Sequence, residues 1–137
     1  MRAFAVLIAF LIGTIGLTAL TSAGDNTATA QSIIRSQEEA FSRDDAAAAY
    51  AFASPALKSW YRSPDAFMFM VRNGYAPVYR HRSFEFGLTT TKDGKILQEV
   101  QIVDADGVPW DALYTLEPQS DGSLTISSCI LRKAVTS

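Results

Sequence analysis

The chain has 137 residues, enough for one domain of ordinary size. Its 12 Lys and Arg against 14 Asp and Glu give a net charge of −2, with no basic stripe of the kind that binds nucleic acid, so a nucleic-acid partner is not expected. A single cysteine, Cys129, excludes an intramolecular disulfide, so stability must come from the core, which aromatic residues at 11% can furnish.

Met1 and Arg2 precede an apolar run from Ala3 to Leu20, broken only by Gly13, Thr14, Gly16 and Thr18. Small residues follow, Thr21-Ser22-Ala23-Gly24. A positive start, an apolar stretch and a small-x-small junction are the pattern of a secretory signal peptide. Residues 1–23 are therefore expected to be a signal peptide cleaved after Ala23, placing the protein in the periplasm or outside the cell. The competing reading is an uncleaved anchor, the one route by which the chain would touch a membrane. A spanning helix needs about 20 apolar residues, and Phe4 to Leu20 falls short of that. No cysteine follows the junction to carry a lipid.

Residues 24–31 are polar and small and read as a flexible lead-in to a single domain over 32–134. Ile33, Ile34, Gln37, Ala40 and Phe41 recur at helical spacing, with Glu38, Glu39 and Arg43 outside. Asp44 and Asp45 interrupt this helix and can cap a second one over Ala46 to Ala53. Ser54-Pro55 opens a turn carrying Leu57, Trp60 and Tyr61. Ser63-Pro64 repeats the device and opens Asp65 to Arg72, with Gly74 as terminator. Tyr75-Ala76-Pro77 reads as a connector.

From Val78 onward the pattern becomes that of strands. Asp-Gly pairs at Asp93-Gly94, Asp106-Gly107 and Asp121-Gly122 separate apolar runs and predict tight turns. They divide this half into strands over Tyr79 to Thr90, Lys95 to Val103, Val108 to Glu117 and Ser123 to Lys133. Connections so short imply an antiparallel meander. Trp110, Ala112, Tyr114 and Leu116 share one face of the third strand, and Phe84, Phe86 and Leu88 form the apolar side of the first. Helices first and strands second make an α+β fold, with N-terminal helices packed on one face of a curved four-stranded sheet.

Ser63-Pro64-Asp65-Ala66-Phe67-Met68-Phe69-Met70 runs into Gly74-Tyr75-Ala76-Pro77-Val78. Further on come Asp106-Gly107-Val108-Pro109-Trp110-Asp111-Ala112-Leu113-Tyr114 and Gln119 to Ile126. In these segments the chain resembles a bacterial domain-of-unknown-function family, the one numbered 4864. The likeness spans about Ile33 to Lys133, and Leu124 stands where the family pattern would place a tryptophan. The resemblance implies a nuclear-transport-factor-like cone, with helices in the concavity of the sheet. It brings no catalytic residues, and the cone hosts isomerases, hydratases and binding modules alike.

Four constellations could carry function. Trp60, Tyr61, Phe67, Met70, Trp110 and Tyr114 could wall an apolar pocket, or simply pack the core. Arg80 and Arg82 fall in register with Phe84 and Phe86 and could grip a carboxylate or phosphate, or lie solvated at a strand end. Asp104-x-Asp106-Gly107 partly matches a calcium loop but lacks its closing Glu, since Thr115 stands there, and reads as a hairpin turn. Asp111 and Glu85 alternate away from the apolar faces, which argues against an isomerase built on a carboxylate base. Cys129 reads as a buried apolar residue, and lone His81 makes a poor metal or triad site.

The sequence points to non-catalytic binding of a small apolar or anionic ligand, held by Trp60, Tyr61, Trp110 and Tyr114 with Arg80 and Arg82. No cofactor is expected. A protein-interaction or homodimer module using the outer sheet face is the alternative, and an isomerase- or hydratase-like enzyme is a third.

Overall fold

The computed structural model describes residues 23–135; the expected signal peptide over residues 1–23 lies, but for Ala23, outside the described residues. Helix α1 spans Ala23–Ser42, so the segment 24–31, expected as a flexible lead-in, belongs to a helix. Ala30, Ile34, Gln37 and Phe41 recur at i, i+4, i+7 and i+11 and are all buried, the stripe of a helix laid on a core. The helix ends where Asp44 takes a left-handed φ of 56°. Asp45 then caps α2 (Ala46–Ala51), accepting from the Ala48 N–H at 3.0 Å.

Both Ser-Pro pairs start helices as their chemistry demands. Ser54 caps α3 (Pro55–Trp60) through the Leu57 N–H, and Ser63 caps α4 (Pro64–Gly74) through the Ala66 N–H. Proline follows each cap at the first helical position, where no N–H is needed. Gly74 closes α4 without a positive φ. The expected connector, together with Val78 and Tyr79, is instead a one-turn helix, α5 (Ala76–Tyr79), which delays the first strand.

The sheet is an antiparallel meander in the order β1-β2-β3-β4, formed by His81–Lys92, Lys95–Asp104, Pro109–Pro118 and Leu124–Lys133. Asp93 and Gly94 both have positive φ, the signature of a two-residue I′ hairpin. Ile96, Val100 and Ile102 of β2 and Ala112, Tyr114 and Leu116 of β3 cover the helices from one face. Glu85, Glu99 and Asp111 stand exposed.

Three register shifts bend this sheet and redirect side chains. Between Phe86 and Thr89, three steps on β1 answer two on β2. The extra residue turns Leu88 outward, 65% exposed, instead of inward beside Phe84 and Phe86. Fully buried Gln98 holds this bulge: its amide donates to the carbonyls of Gly87 and Glu99 at 3.1 and 2.8 Å, and its oxygen accepts from Thr89 Oγ1. A second shift between His81 and Ser83 reverses the facing at the start of β1. The third inserts Ser127 into β4 opposite Thr115 and Leu116. There Ile126 also bridges the α2–α3 connection, its N–H donating to the Phe52 carbonyl and its carbonyl accepting from the Ser54 N–H.

Candidate functional site

A cavity of about 160 Å³ lies between the helices and the β3–β4 end of the sheet. Phe67 is central to its helical wall. Its ring meets Phe41 at 6.2 Å, Tyr50 at 5.7 Å and Tyr61 edge-on at 6.2 Å. Tyr61 sits at the C-cap of α3, fixed by the Tyr50 hydroxyl donating to the Tyr61 carbonyl at 2.6 Å. Leu57, Met70, Val71, Tyr75 and Val78 complete this side.

The sheet wall is made by Tyr114, Ile126, Ser127, Ser128 and Cys129. Tyr114 and Cys129 are opposite each other in the β3–β4 register, and their hydroxyl and thiol interact. Burial pushes the Cys129 thiol up to about 12. Burial likewise raises Tyr114 well above the usual phenol range, with Cys129 adding to it, and raises Tyr75 to a lesser degree. All three therefore stay protonated at neutral pH, and a protonated thiol is a poor nucleophile. Among the described residues, the lining contains no carboxylate, histidine or basic side chain. Its polar contribution is neutral: hydroxyls, one thiol and the Gln37 amide, whose Nε2 donates to the Ala49 carbonyl at 3.1 Å.

The charged groups of the concave face gather elsewhere. Glu38 on α1 accepts from Arg35 and lies 2.7 Å from His81 Nε2, while His81 Nδ1 lies 2.9 Å from the Pro77 carbonyl. Arg35 lies over the rings of Phe84 and Phe86 at 5.2 and 4.8 Å. The His81 ring stacks against Phe84 at 5.1 Å. The shift at the start of β1 brings His81 in and leaves Arg82 exposed, the reverse of simple alternation from Phe84.

Of the six expected pocket walls, Tyr61, Phe67, Met70 and Tyr114 line the cavity, and Trp60 and Trp110 do not. Trp60 ends α3 with 82% of its surface exposed. Trp110 lies at the other end of β3, donating its indole N–H to Asp104 at 2.9 Å. Arg80 pairs with Asp44 at 3.1 Å, donates to the Phe41 carbonyl and covers the Tyr79 ring. Arg82 donates to the Ala105 carbonyl at 3.1 Å. Neither guanidinium lines the cavity. Asp104 commits its oxygens to the N–H groups of Asp106, Val108 and Trp110, so Asp104-x-Asp106-Gly107 is the expected hairpin turn. Sequence reasoning missed Tyr75, Ser127 and Ser128 as lining, and it missed the Glu38–His81 contact. Both depend on bulges and a one-turn helix that local pattern does not announce.

Helices lying in the hollow of a curved antiparallel sheet, around a small cavity, define a nuclear-transport-factor-like domain of the cone type. The chain belongs to the family described as "Domain of unknown function (DUF4864)", whose model matches residues 23–137. The structure of Aln2 from a Streptomyces species is similar, with a TM-score of 0.52 and 15% identity over 82% of this chain and 93% of that one. At that identity the likeness speaks for the fold alone. No curated protein matches the chain.

Proposed function

We propose that this is an exported, non-catalytic domain that binds a small neutral ligand in the cavity between the helices and β3–β4. The cavity's size and lining carry the reading. A void of about 150 Å³ walled by apolar side chains accepts a benzene-sized guest, and this one measures about 160 Å³. Drug-sized ligands need roughly 300 Å³ or more, so the guest is a single ring or a short branched chain. The hydroxyls of Tyr61, Tyr75 and Ser128 favour a guest with one polar group. The sequence also allowed an anionic ligand held by Arg80 and Arg82. A neutral lining and two committed arginines favour the uncharged class. The absence of a carboxylate from the described lining favours binding over isomerase-type proton transfer.

A second reading has one observation behind it. A groove on the outer sheet face places exposed Ile130 and Val135 among Glu99, Asp111, Arg132 and Lys133, an arrangement that suits a self-complementary homodimer.

One experiment tests these together: a native mass spectrum of the protein made with its own leader and purified from the exported fraction, followed by titration with phenol and indole. The expected result is a monomer starting at Gly24 that binds both probes saturably and ignores benzoate. Met70→Trp, which fills the cavity from a half-buried wall position, should remove binding while leaving the circular dichroism unchanged. No saturable binding of either neutral probe would overturn the ligand reading, and a dimer peak would then favour the second.

A further inference from the structure

We infer that the outward side of α3 and α4 is a docking surface for an anionic lipid bilayer. Charge is distributed very unevenly along this chain. Residues 55–80 carry Lys58, Arg62, Arg72 and Arg80 against one acid, Asp65. That is +3 within a chain of net −2, which leaves −5 for the remainder. Arg80 is neutralised by Asp44. Lys58 and Arg72 lie over the Tyr50 and Tyr79 rings at 5.4 and 5.7 Å, and neither they nor Arg62 form a salt bridge to a carboxylate among the described residues. Asp65 occupies the first turn of α4, where the helix end already favours a negative charge.

Two large aromatic side chains fall in the same stretch of sequence as these cations. Trp60 is 82% exposed and Phe69 68% exposed. Among the described residues, neither ring packs against another ring or a cation, and the Trp60 indole N–H has no protein acceptor. Water is a poor setting for such rings. An amphipathic indole and a phenyl ring, flanked by Lys and Arg, fit the headgroup boundary of a bilayer, where the ring enters the acyl edge and the N–H stays hydrated. The two helices are consecutive, and the contact between Tyr61 and Phe67 holds the end of one against the start of the other.

A bilayer suits this surface better than an acidic protein does. Trp60, Arg62, Phe69 and Arg72 are exposed and Lys58 is half-exposed, and none of them lines the cavity beside β3–β4 or the groove on the outer sheet face. A membrane presents a continuous negative plane and needs no shape match. The acids of the outer sheet face, Glu85, Glu99 and Asp111, would be repelled by the same plane, which turns the helices toward it. The sequence expectation confined membrane contact to an uncleaved leader, whereas this contact belongs to the folded domain and does not depend on what the cavity holds.

The test uses the full chain carrying Trp110→Phe, so that Trp60 is the sole tryptophan, with circular dichroism to confirm folding. Vesicles of equal parts phosphatidylglycerol and phosphatidylcholine should blue-shift Trp60 emission and expose it to quenching by brominated acyl chains; phosphatidylcholine alone should do neither. At about fivefold in partitioning per cation, the combined change Lys58→Glu, Arg62→Glu and Arg72→Glu should weaken the response a hundredfold or more. High salt should weaken it too. Phe69→Ala, at an exposed position that leaves the core intact, should weaken it severalfold. Sedimentation with the vesicles without any change in Trp60 emission would mean that the leader alone makes the contact, and would overturn the inference. So would an equal response to uncharged vesicles.

Discussion

One face of one sheet carries two opposite chemistries a few residues apart. Around Tyr114 and Cys129 the ionisable groups are held neutral by burial. Around Phe84 three charged or chargeable groups, Arg35, Glu38 and His81, are buried to different depths and matched to one another. Removing a charge from water is tolerated only against a partner. The ionic cluster meets that condition with side chains from α1 and β1 and the carbonyl of Pro77 in α5, so it ties three elements together. The cavity ties its polar groups with neutral hydrogen bonds alone, Tyr114 to Cys129 and the Ser127 hydroxyl to the Thr115 carbonyl at 3.2 Å, and space remains beside them. A region saturated with mutual contacts is a strut, whereas a region that is polar, neutral and incompletely filled can receive a guest.

Phe84 joins the two regions, and removing it should have the largest effect. It is 6% exposed, lies 6.3 Å from the Tyr114 ring and contacts both Arg35 and His81. Phe84→Ala should cost about 3–5 kcal/mol, as expected for a buried aromatic whose site cannot collapse. Chemical denaturation measures this loss directly. If the cost were under about 1 kcal/mol, the two regions would not share a packed boundary.

Glu38→Gln should separate the two chemistries. It leaves Arg35 without its carboxylate and gives His81 a neutral partner. Breaking a fully buried pair costs about 3–5 kcal/mol. The Arg35 side chain is 39% exposed, so water recovers part of this and the loss should be about 2–3 kcal/mol. Affinity for phenol in the cavity should hold within about twofold, since Glu38 does not line it. A variant that lost stability and ligand affinity together would show that the ionic cluster shapes the cavity.

These two regions are unequally legible in the sequence. The helix starts can be read because Ser-Pro pairs and Asp45 act on their own N–H neighbours. The hairpins can be read because Asp-Gly pairs meet a local demand for positive φ. Tyr114 can be placed because β3 alternates without a bulge. His81 cannot: its facing depends on one extra residue in β1, and its partner Glu38 lies 43 positions away. Leu88 misleads for the same reason, since the amide that stabilises its bulge belongs to Gln98 on the next strand. Trp60 reads as a pocket wall because α3 is amphipathic at Leu57, yet the helix ends at Trp60 and leaves the indole in solvent. Periodicity reports which face a residue occupies within its own element. Bulges and helix ends are decided by distant partners.

The smallest effect is the one that tests the neutral character of the cavity. The Cys129 thiol is raised from its ordinary 9.0 to about 12 in the folded chain. A group raised on folding stabilises fully below its unfolded value, and that contribution fades as pH climbs toward the folded one. Between pH 9 and 12 the unfolded chain therefore sheds the Cys129 proton while the folded chain keeps it, and stability must fall. At pH 10 the loss from this group alone is on the order of 1 kcal/mol. Tyr114 and Tyr75 are also raised and steepen the decline above pH 10. Cys129→Ala should flatten the first part of the curve and leave the tyrosine part in place, which urea midpoints from about pH 8 to 11 would resolve. Identical pH profiles for the two proteins would mean that water reaches the thiol, and the neutral cavity would then have to be redrawn as an open, solvated cleft.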